Sequence, residues 1–216
     1  MKVRWLGHAA FLITAQDGTR IITDPYAPQG DRLTYADIGE AVDIVTVSHD
    51  HFDHNNVAAV KGKPQVVKGV GSHKAKGIEF KGVATHHDTA SGSQRGANTV
   101  FCFTVDGIRV CHMGDLGHTL SDRQAAEIGQ VDVLLIPTGG GPTIDPAAAT
   151  QVAEKLKPKV IIPMHFRTAR CTFPPSDEDD FAKGKPRVRK VDSSEVELKK
   201  EGLPSATEIV VLKHAR

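Results

Sequence analysis

The sequence predicts an α/β fold of two sheets covered by helices, and three observations carry that expectation. Hairpin signals occur twice, continuous apolar runs of strand length occur three times, and helical stretches with start and stop signals fall among them in irregular order.

The chain enters a strand-like pattern at Met1–Leu6. Phe11–Thr14 and Arg20–Thr23 are apolar runs separated by a segment containing Asp17-Gly18, the dipeptide that best fits a type I′ hairpin turn. A second hairpin is expected from Asn98–Val105 and Ile108–Met113 around Asp106-Gly107. Its two-residue loop pairs Val105 with Ile108, and counting outward sets Cys102 opposite Cys111 as a contact of small apolar side chains. Val42–Ser48, Val131–Pro137 and Val160–Met164 read as strands buried on both faces. The first two echo each other, Val42-Asp43-Ile44-Val45 against Val131-Asp132-Val133-Leu134. Helices are expected at Asn55–Val60, Ser121–Ile128 and Asp145–Leu156. Asp145-Pro146 supplies an N-cap and a proline at the first helical position of the last, and Pro158 ends it. Glu208–Lys213 reads as a final strand, and Lys183–Lys190 with the acidic Asp177–Asp180 before it as a solvated, mobile loop. No linker divides the 216 residues, so one domain over 1–216 is expected.

Composition narrows the function classes. A 39% hydrophobic and 25% charged chain is ordinary for a globular protein, and a net charge of +1 without a long Lys/Arg run argues against a nucleic-acid partner. The odd number of cysteines (Cys102, Cys111, Cys171) and the lack of a C-x-x-C argue against a disulfide framework. No apolar run nears the ~18 residues of a membrane span, and the N-terminus lacks a secretion signal's pattern. The expected compartment is the cytoplasm.

Chemistry concentrates in Ser48-His49-Asp50-His51-Phe52-Asp53-His54. Residues two apart in extended chain point the same way, so His49 and His51 can converge on one ion. As the chain then turns, Asp53 and His54 point toward a neighbouring position. Imidazole nitrogen and carboxylate oxygen suit Zn²⁺, and also Fe or Mn. Histidine contributes little to a core, and a polar cluster of this size at the end of a buried strand needs partners.

This run is one of several ordered segments. The others are Gly7-His8-Ala9, Ile22-Thr23-Asp24-Pro25, His87-Asp88, Arg95-Gly96-Ala97-Asn98, His112 to His118, and Pro163-Met164-His165. Together they resemble the metallo-β-lactamase superfamily, and more narrowly its stand-alone, lactonase-like branch, similar to ascorbate-phosphate-lactonase-like hydrolases. The resemblance implies a four-layer αβ/βα sandwich of two mixed sheets with helices on the outer faces. It implies two divalent ions, zinc first, with manganese or iron as alternatives. His49, His51 and a third histidine would hold one ion, Asp53, His54 and His165 the other, with Asp115 bridging both. The third histidine is taken as His87, which precedes Asp88 as in that branch, with His86 the alternative. Asp24 resembles the family's buried aspartate that braces a ligand imidazole or its loop.

The remaining candidates are weaker. His8 is a candidate for lining the cleft, His112 and His118 for local hydrogen bonding, and His73 and His214 for the surface. Arg95 and Arg167 are candidates for holding an anionic substrate, or for structural ion pairs. Gly139-Gly140-Gly141 lacks the remainder of a P-loop and reads as a tight loop near the cleft. The implied activity is hydrolysis of a small ester, lactone or phosphodiester by a metal-bridged hydroxide, with Asp53 orienting the nucleophile. A nuclease and a non-enzymatic metal-binding sensor or interaction module are the alternatives. The expected partner is a small-molecule substrate, and a homo-oligomer stays open.

Overall fold

Alternation starts at the first strand: in β1 (Lys2–Gly7) Val3 and Trp5 are buried while Lys2 is exposed and Arg4 half-exposed. The computed structural model describes residues 1–216. After β1 come β2 (Ala10–Thr14), β3 (Arg20–Thr23), β4 (Ile44–Val47), β5 (Gln65–Lys68), β6 (Gly71–Ala75), β7 (Ile78–His86), β8 (Ala97–Val105) and β9 (Ile108–His112). The second half holds α1 (Asp122–Ile128), β10 (Val133–Pro137), α2 (Pro146–Leu156), β11 (Val160–Met164), α3 (Glu178–Ala182), β12 (Val188–Lys190), β13 (Glu195–Glu197) and β14 (Glu208–Val211). One sheet has six strands in the order β13-β1-β2-β3-β4-β5, the other eight in the order β12-β14-β11-β10-β9-β8-β7-β6. Both are mixed: β3 and β4 pair in parallel, as do β9, β10 and β11, while the hairpins are antiparallel.

The continuous apolar runs are explained by burial on both faces. Val133 and Leu135 of β10 join the core between the sheets, with Trp5, Phe11 and Phe101, while Leu134 and Ile136 meet the helices. Those helices cover only the eight-stranded sheet: Ile128 of α1, Val152 of α2 and Phe181 of α3 pack against it. The six-stranded sheet is covered instead by the chain after β3, through Tyr26, Leu33, Tyr35 and Ile38. The expected helix at Asn55–Val60 is a single 3-10 turn, Val57–Ala59. Two β-branched valines in six residues nucleate a helix poorly, and the Asn56 side chain donates to Tyr26 O rather than capping it.

Two further expectations change. Only Gly18 of Asp17-Gly18 is left-handed (φ 89°), and its N–H donates to Ala15 O while Ala15 N–H donates to Thr19 O. That is a three-residue loop ending in a bulge, whereas the type I′ turn, with both residues at positive φ, is Asp106-Gly107. Cys102 does pair with Cys111, their Sγ atoms 3.4 Å apart as free thiols.

The second change concerns Asp177–Asp180, read as loop. Asp177 caps α3 in a reciprocal box with Asp180 and so anchors the buried Phe181. Val188–Lys190 is an edge strand beside β14. Asp177→Ala is expected to cost about 1 kcal/mol, the typical value of a lost N-cap, measured as a lower midpoint in urea. Burial raises the Asp177 pKa, but Arg167 and the backbone N–H groups of α3 outweigh it and hold the carboxyl below its ordinary range. Its contribution is therefore complete above the ordinary carboxylate range and fades as pH falls, so wild type and variant should converge in acid.

No helix is long and apolar enough to cross a membrane. The segments after β1, β3, β4, β7, β9 and β11 supply the residues considered next.

Candidate metal centre

Three non-glycine residues just past these strand ends hold left-handed backbone: His8 (φ 54°), Asp24 (φ 37°) and His165 (φ 49°). Such conformations cost energy and persist where the surroundings over-determine them. The surroundings here are one buried cluster of His and Asp side chains.

Ring nitrogens of His49, His51 and His87 lie within 4.8 Å of one another, and so do ligand-type atoms of His8, Asp53, His54 and His165. Asp115 stands between the groups. Its Oδ2 is 3.2 Å from His87 Nε2, 3.4 Å from His165 Nε2 and 4.0 Å from His49 Nε2, and its Oδ1 is 3.1 Å from His54 Nε2. The structure thus brings together all seven residues singled out as ligands, and adds His8.

Hydrogen bonds set which imidazole atoms face inward. Asp24 is fully buried and accepts from Ser48 N–H (2.8 Å), Ser48 Oγ–H (2.5 Å) and His54 Nδ1–H (2.9 Å). The hydroxyl proton being spent on Asp24, Ser48 Oγ accepts from His49 Nδ1–H at 2.9 Å. Both imidazoles thereby turn Nε2 toward the cluster. Asn98 holds Asp115 in turn: its Oδ1 accepts Asp115 N–H at 2.9 Å, while its NH₂ donates to Thr85 Oγ1 and Met113 O. Gly114 permits this approach, since a Cβ there would lie 2.4 Å from Asn98 Oδ1. Ser48 and Asn98 were missed as site residues by sequence reasoning, and His8, expected to line the cleft, lies buried behind Asp53 instead. Ser48 adjoins the histidine run and Asn98 lies in a quoted segment, but only the fold shows what each touches.

Electrostatics agree with a metal-ready cluster. Burial, reinforced by the charge of His54, pushes His49 down to about 3, so it is neutral. Burial also pushes His8 down to about 4. For Asp115 burial acts upward, yet His165 and His54 outweigh it and the carboxyl lies well below its ordinary range. For His54 burial acts downward, yet Asp115, Asp24 and Asp53 raise it well above its ordinary value. The cluster therefore holds ionised carboxylates against an imidazolium whose proton a cation displaces on binding. His54 Nε2, Asp115 Oδ1 and both ring nitrogens of His165 are buried without a hydrogen-bond partner. Buried polar atoms without partners are costly, and imidazole and carboxylate groups of this kind fit divalent transition metals.

The adjacent histidines separate. His87 is buried against Asp115, whereas His86 is half-buried, packs on the His118 ring at 5.7 Å and donates its backbone N–H to His118 Nε2. His87→Ala is expected to lower metal content and turnover far more than His86→Ala. Metal analysis of the two purified variants checks this, and the reverse order would mean that the wrong neighbour has been assigned. His112 is fully buried; its Nδ1 accepts the nearby Gly114 N–H as expected, but its Nε2–H donates to Ala9 O, 103 residues away. His73 and His214, expected on the surface, are half-buried; His73 donates to Gly69 O, and His214 packs against Trp5 and Tyr35.

A cavity of about 800 Å³ opens over the cluster, reached by His51, Asp53, His87 and Asp115. Arg95 lines it, as does Arg32, which sequence reasoning did not pick out. Arg167 does not; it pairs with Asp177 at 3.0 Å, the structural alternative. The glycine loop approaches the cleft as expected: Gly141 lines the cavity, and a Cβ on Gly139 would lie 2.3 Å from His165 O.

Two facing mixed sheets with a His/Asp cluster at their strand ends define a metallohydrolase architecture. A family model described as a β-lactamase superfamily domain matches residues 2–165, and the chain belongs to the metallo-β-lactamase superfamily. A metal-dependent hydrolase of the UPF0173 family from Methanoregula boonei is 31% identical over 192 residues, covering 78% of this chain and 83% of that protein. The crystal structure of a candidate Zn-dependent hydrolase from Thermotoga maritima is 39% identical, with a TM-score of 0.81 over 98% of this chain and 97% of the other. Igni18, a metallo hydrolase from Ignicoccus hospitalis, is 26% identical with a TM-score of 0.61, covering 83% and 88%. The chain is thus a metal-dependent hydrolase of that superfamily.

Proposed function

We propose that this protein hydrolyses a small anionic ester, lactone or phosphodiester at a centre of two divalent ions, zinc first. The observation that carries this is the position of Asp115, whose two oxygens face both ligand groups. His49, His51 and His87 would hold one ion, and Asp53, His54 and His165 the other. Bound ions supply Lewis acidity and lower the pKa of water from 15.7 to about 7. Asp53 orients the attacking water and passes a proton toward the leaving group. Arg32 and Arg95 have no carboxylate partner and line the cavity, whereas Asp50 on the same wall is engaged by Lys68 and Asn55. The wall therefore favours an anionic substituent. Its three free thiols suit a reducing compartment, the cytoplasm.

Metal analysis with turnover of generic lactone and phosphodiester substrates tests the reading. Up to two transition-metal ions per chain are expected, with activity abolished by a chelator, restored by metal and absent from His51→Ala. Arg95→Ala should raise KM for a carboxylate-bearing ester by about tenfold, from the ~1.5–3 kcal/mol of a charged hydrogen bond, and leave its neutral analogue unchanged. Turnover that survives complete metal removal would end the proposal.

A further inference from the structure

Behind Asp53 meet two side chains from opposite ends of the sequence. His8, in the turn after β1, is 1% exposed, and its Nε2 stands 3.1 Å from Asp53 Oδ2. Its other ring nitrogen, Nδ1, faces Cys171 Sγ at 3.8 Å and has no other hydrogen-bond partner. Cys171 is wholly buried in the segment after β11. The His8 backbone is pinned as well: its carbonyl accepts from Trp5 Nε1–H at 3.0 Å and from His165 N–H at 3.1 Å, with φ at 54°. Left-handed backbone at a non-glycine residue, held from two sides, fixes where this imidazole sits.

The donor inventory then fixes its tautomer. An ionised carboxylate only accepts, a thiol donates weakly, and a neutral imidazole has one donor and one acceptor nitrogen. Burial pushes the Cys171 thiol up to about 12, so its proton stays in place. A thiol donor at Nδ1 and a carboxylate acceptor at Nε2 select the same form, with the ring proton on Nε2.

We propose that Cys171 and His8 are positioning residues for Asp53: the thiol donates to His8 Nδ1, and His8 Nε2–H donates to Asp53 Oδ2, the oxygen that stands 3.7 Å from His54 Nε2, so the carboxylate is held against the centre. This gives a role to a cysteine and a histidine that the ligand set leaves unused. The tautomer claim stands on the contacts alone, while its consequence for metal rests on the centre proposed above. Partners of this kind change metal affinity or activity by about 10–100-fold when removed.

The test has two arms. In metal-free protein, ¹⁵N resonances of His8 should report the Nε2–H tautomer. Cys171→Val leaves the Asp53 carboxylate to hold Nε2–H and should move the Nδ1 resonance to that of an acceptor without a donor, and Cys171→Ser, which restores a donor, should move it back. An Nδ1–H tautomer in the wild type overturns the proposal, as does loss of the Nε2–H signal on Zn²⁺ loading, which would make His8 a ligand. In the second arm, Co²⁺ titration followed by visible absorption should show His8→Phe binding the weaker ion about tenfold or more less tightly, with an altered spectrum. His8→Gln, whose amide can donate to Asp53, should recover part of that loss. A wild-type spectrum and affinity in His8→Phe refute the positioning role. If the wild type binds no Co²⁺, the two-ion centre fails, and the tautomer measurement alone decides the Cys171–His8–Asp53 arrangement.

Discussion

Asp115→Asn is expected to lose the second ion first and to lower turnover by about two orders of magnitude or more. The side chain is 2% exposed, with imidazole nitrogens of His54, His87 and His165 within 3.4 Å of its two oxygens. Asparagine keeps the size and the backbone N–H bond to Asn98. It removes the negative charge that would offset repulsion between the two proposed cations, and replaces one oxygen by an NH₂ that cannot ligate. The group held by Asp53, His54 and His165 then has a single carboxylate, while the three-histidine group stays complete and keeps weaker occupancy. Each 1.36 kcal/mol lost from transition-state stabilisation is tenfold in rate, and Lewis-acid stabilisation is worth several kcal/mol. Calorimetric metal titration with thermal unfolding decides the matter. Two-ion binding with near-normal turnover would mean that Asp115 does not bridge, and collapse of the metal-free fold would make it a structural residue.

How much of this was legible in the sequence depends on where each signal sat. Strands β3 and β11 were read residue for residue, because they lie inside the sheets and are buried around an apolar pair in β3 and along the whole length of β11. Strands β5, β6, β12 and β13 were not read: they are short, mostly polar and lie at or next to sheet edges. In α3 the acidic residues that suggested a solvated loop are a helix cap. At the site, His49 to His54 was legible because its ligand-type residues are adjacent in sequence. His8 was underweighted because its partners lie 45 and 163 residues away, and nothing in Gly7-His8-Ala9 names them. Arg95 and Arg167 were equivalent candidates in sequence. Only the fold turned one toward the cleft and the other onto Asp177.

Asp24→Asn should weaken metal binding by about 10–100-fold, the range for partners that orient a ligand, although residue 24 touches no proposed ion. Asparagine tolerates the left-handed backbone at this position, so the change tests chemistry rather than strain. Three donors converge on the two Asp24 oxygens: Ser48 N–H on Oδ1, and Ser48 Oγ–H and His54 Nδ1–H on Oδ2. If the amide oxygen stays opposite Ser48 N–H, the NH₂ faces Ser48 Oγ and His54 Nδ1. It then donates to Nδ1, which forces the ring proton onto Nε2, the atom that faces Asp115 and Asp53. A protonated Nε2 cannot ligate. If the amide flips instead, the buried Ser48 N–H meets a second donor and is orphaned, at about 1–3 kcal/mol. Either orientation damages the centre, the first through affinity and the second through stability. Zinc titration alongside chemical denaturation of the metal-free protein separates them, and a variant matching wild type in both would show that Asp24 does not set the His54 tautomer. Ser48→Ala is the milder control, since it removes one donor to Asp24 and the acceptor for His49 Nδ1–H but leaves the His54 bond intact.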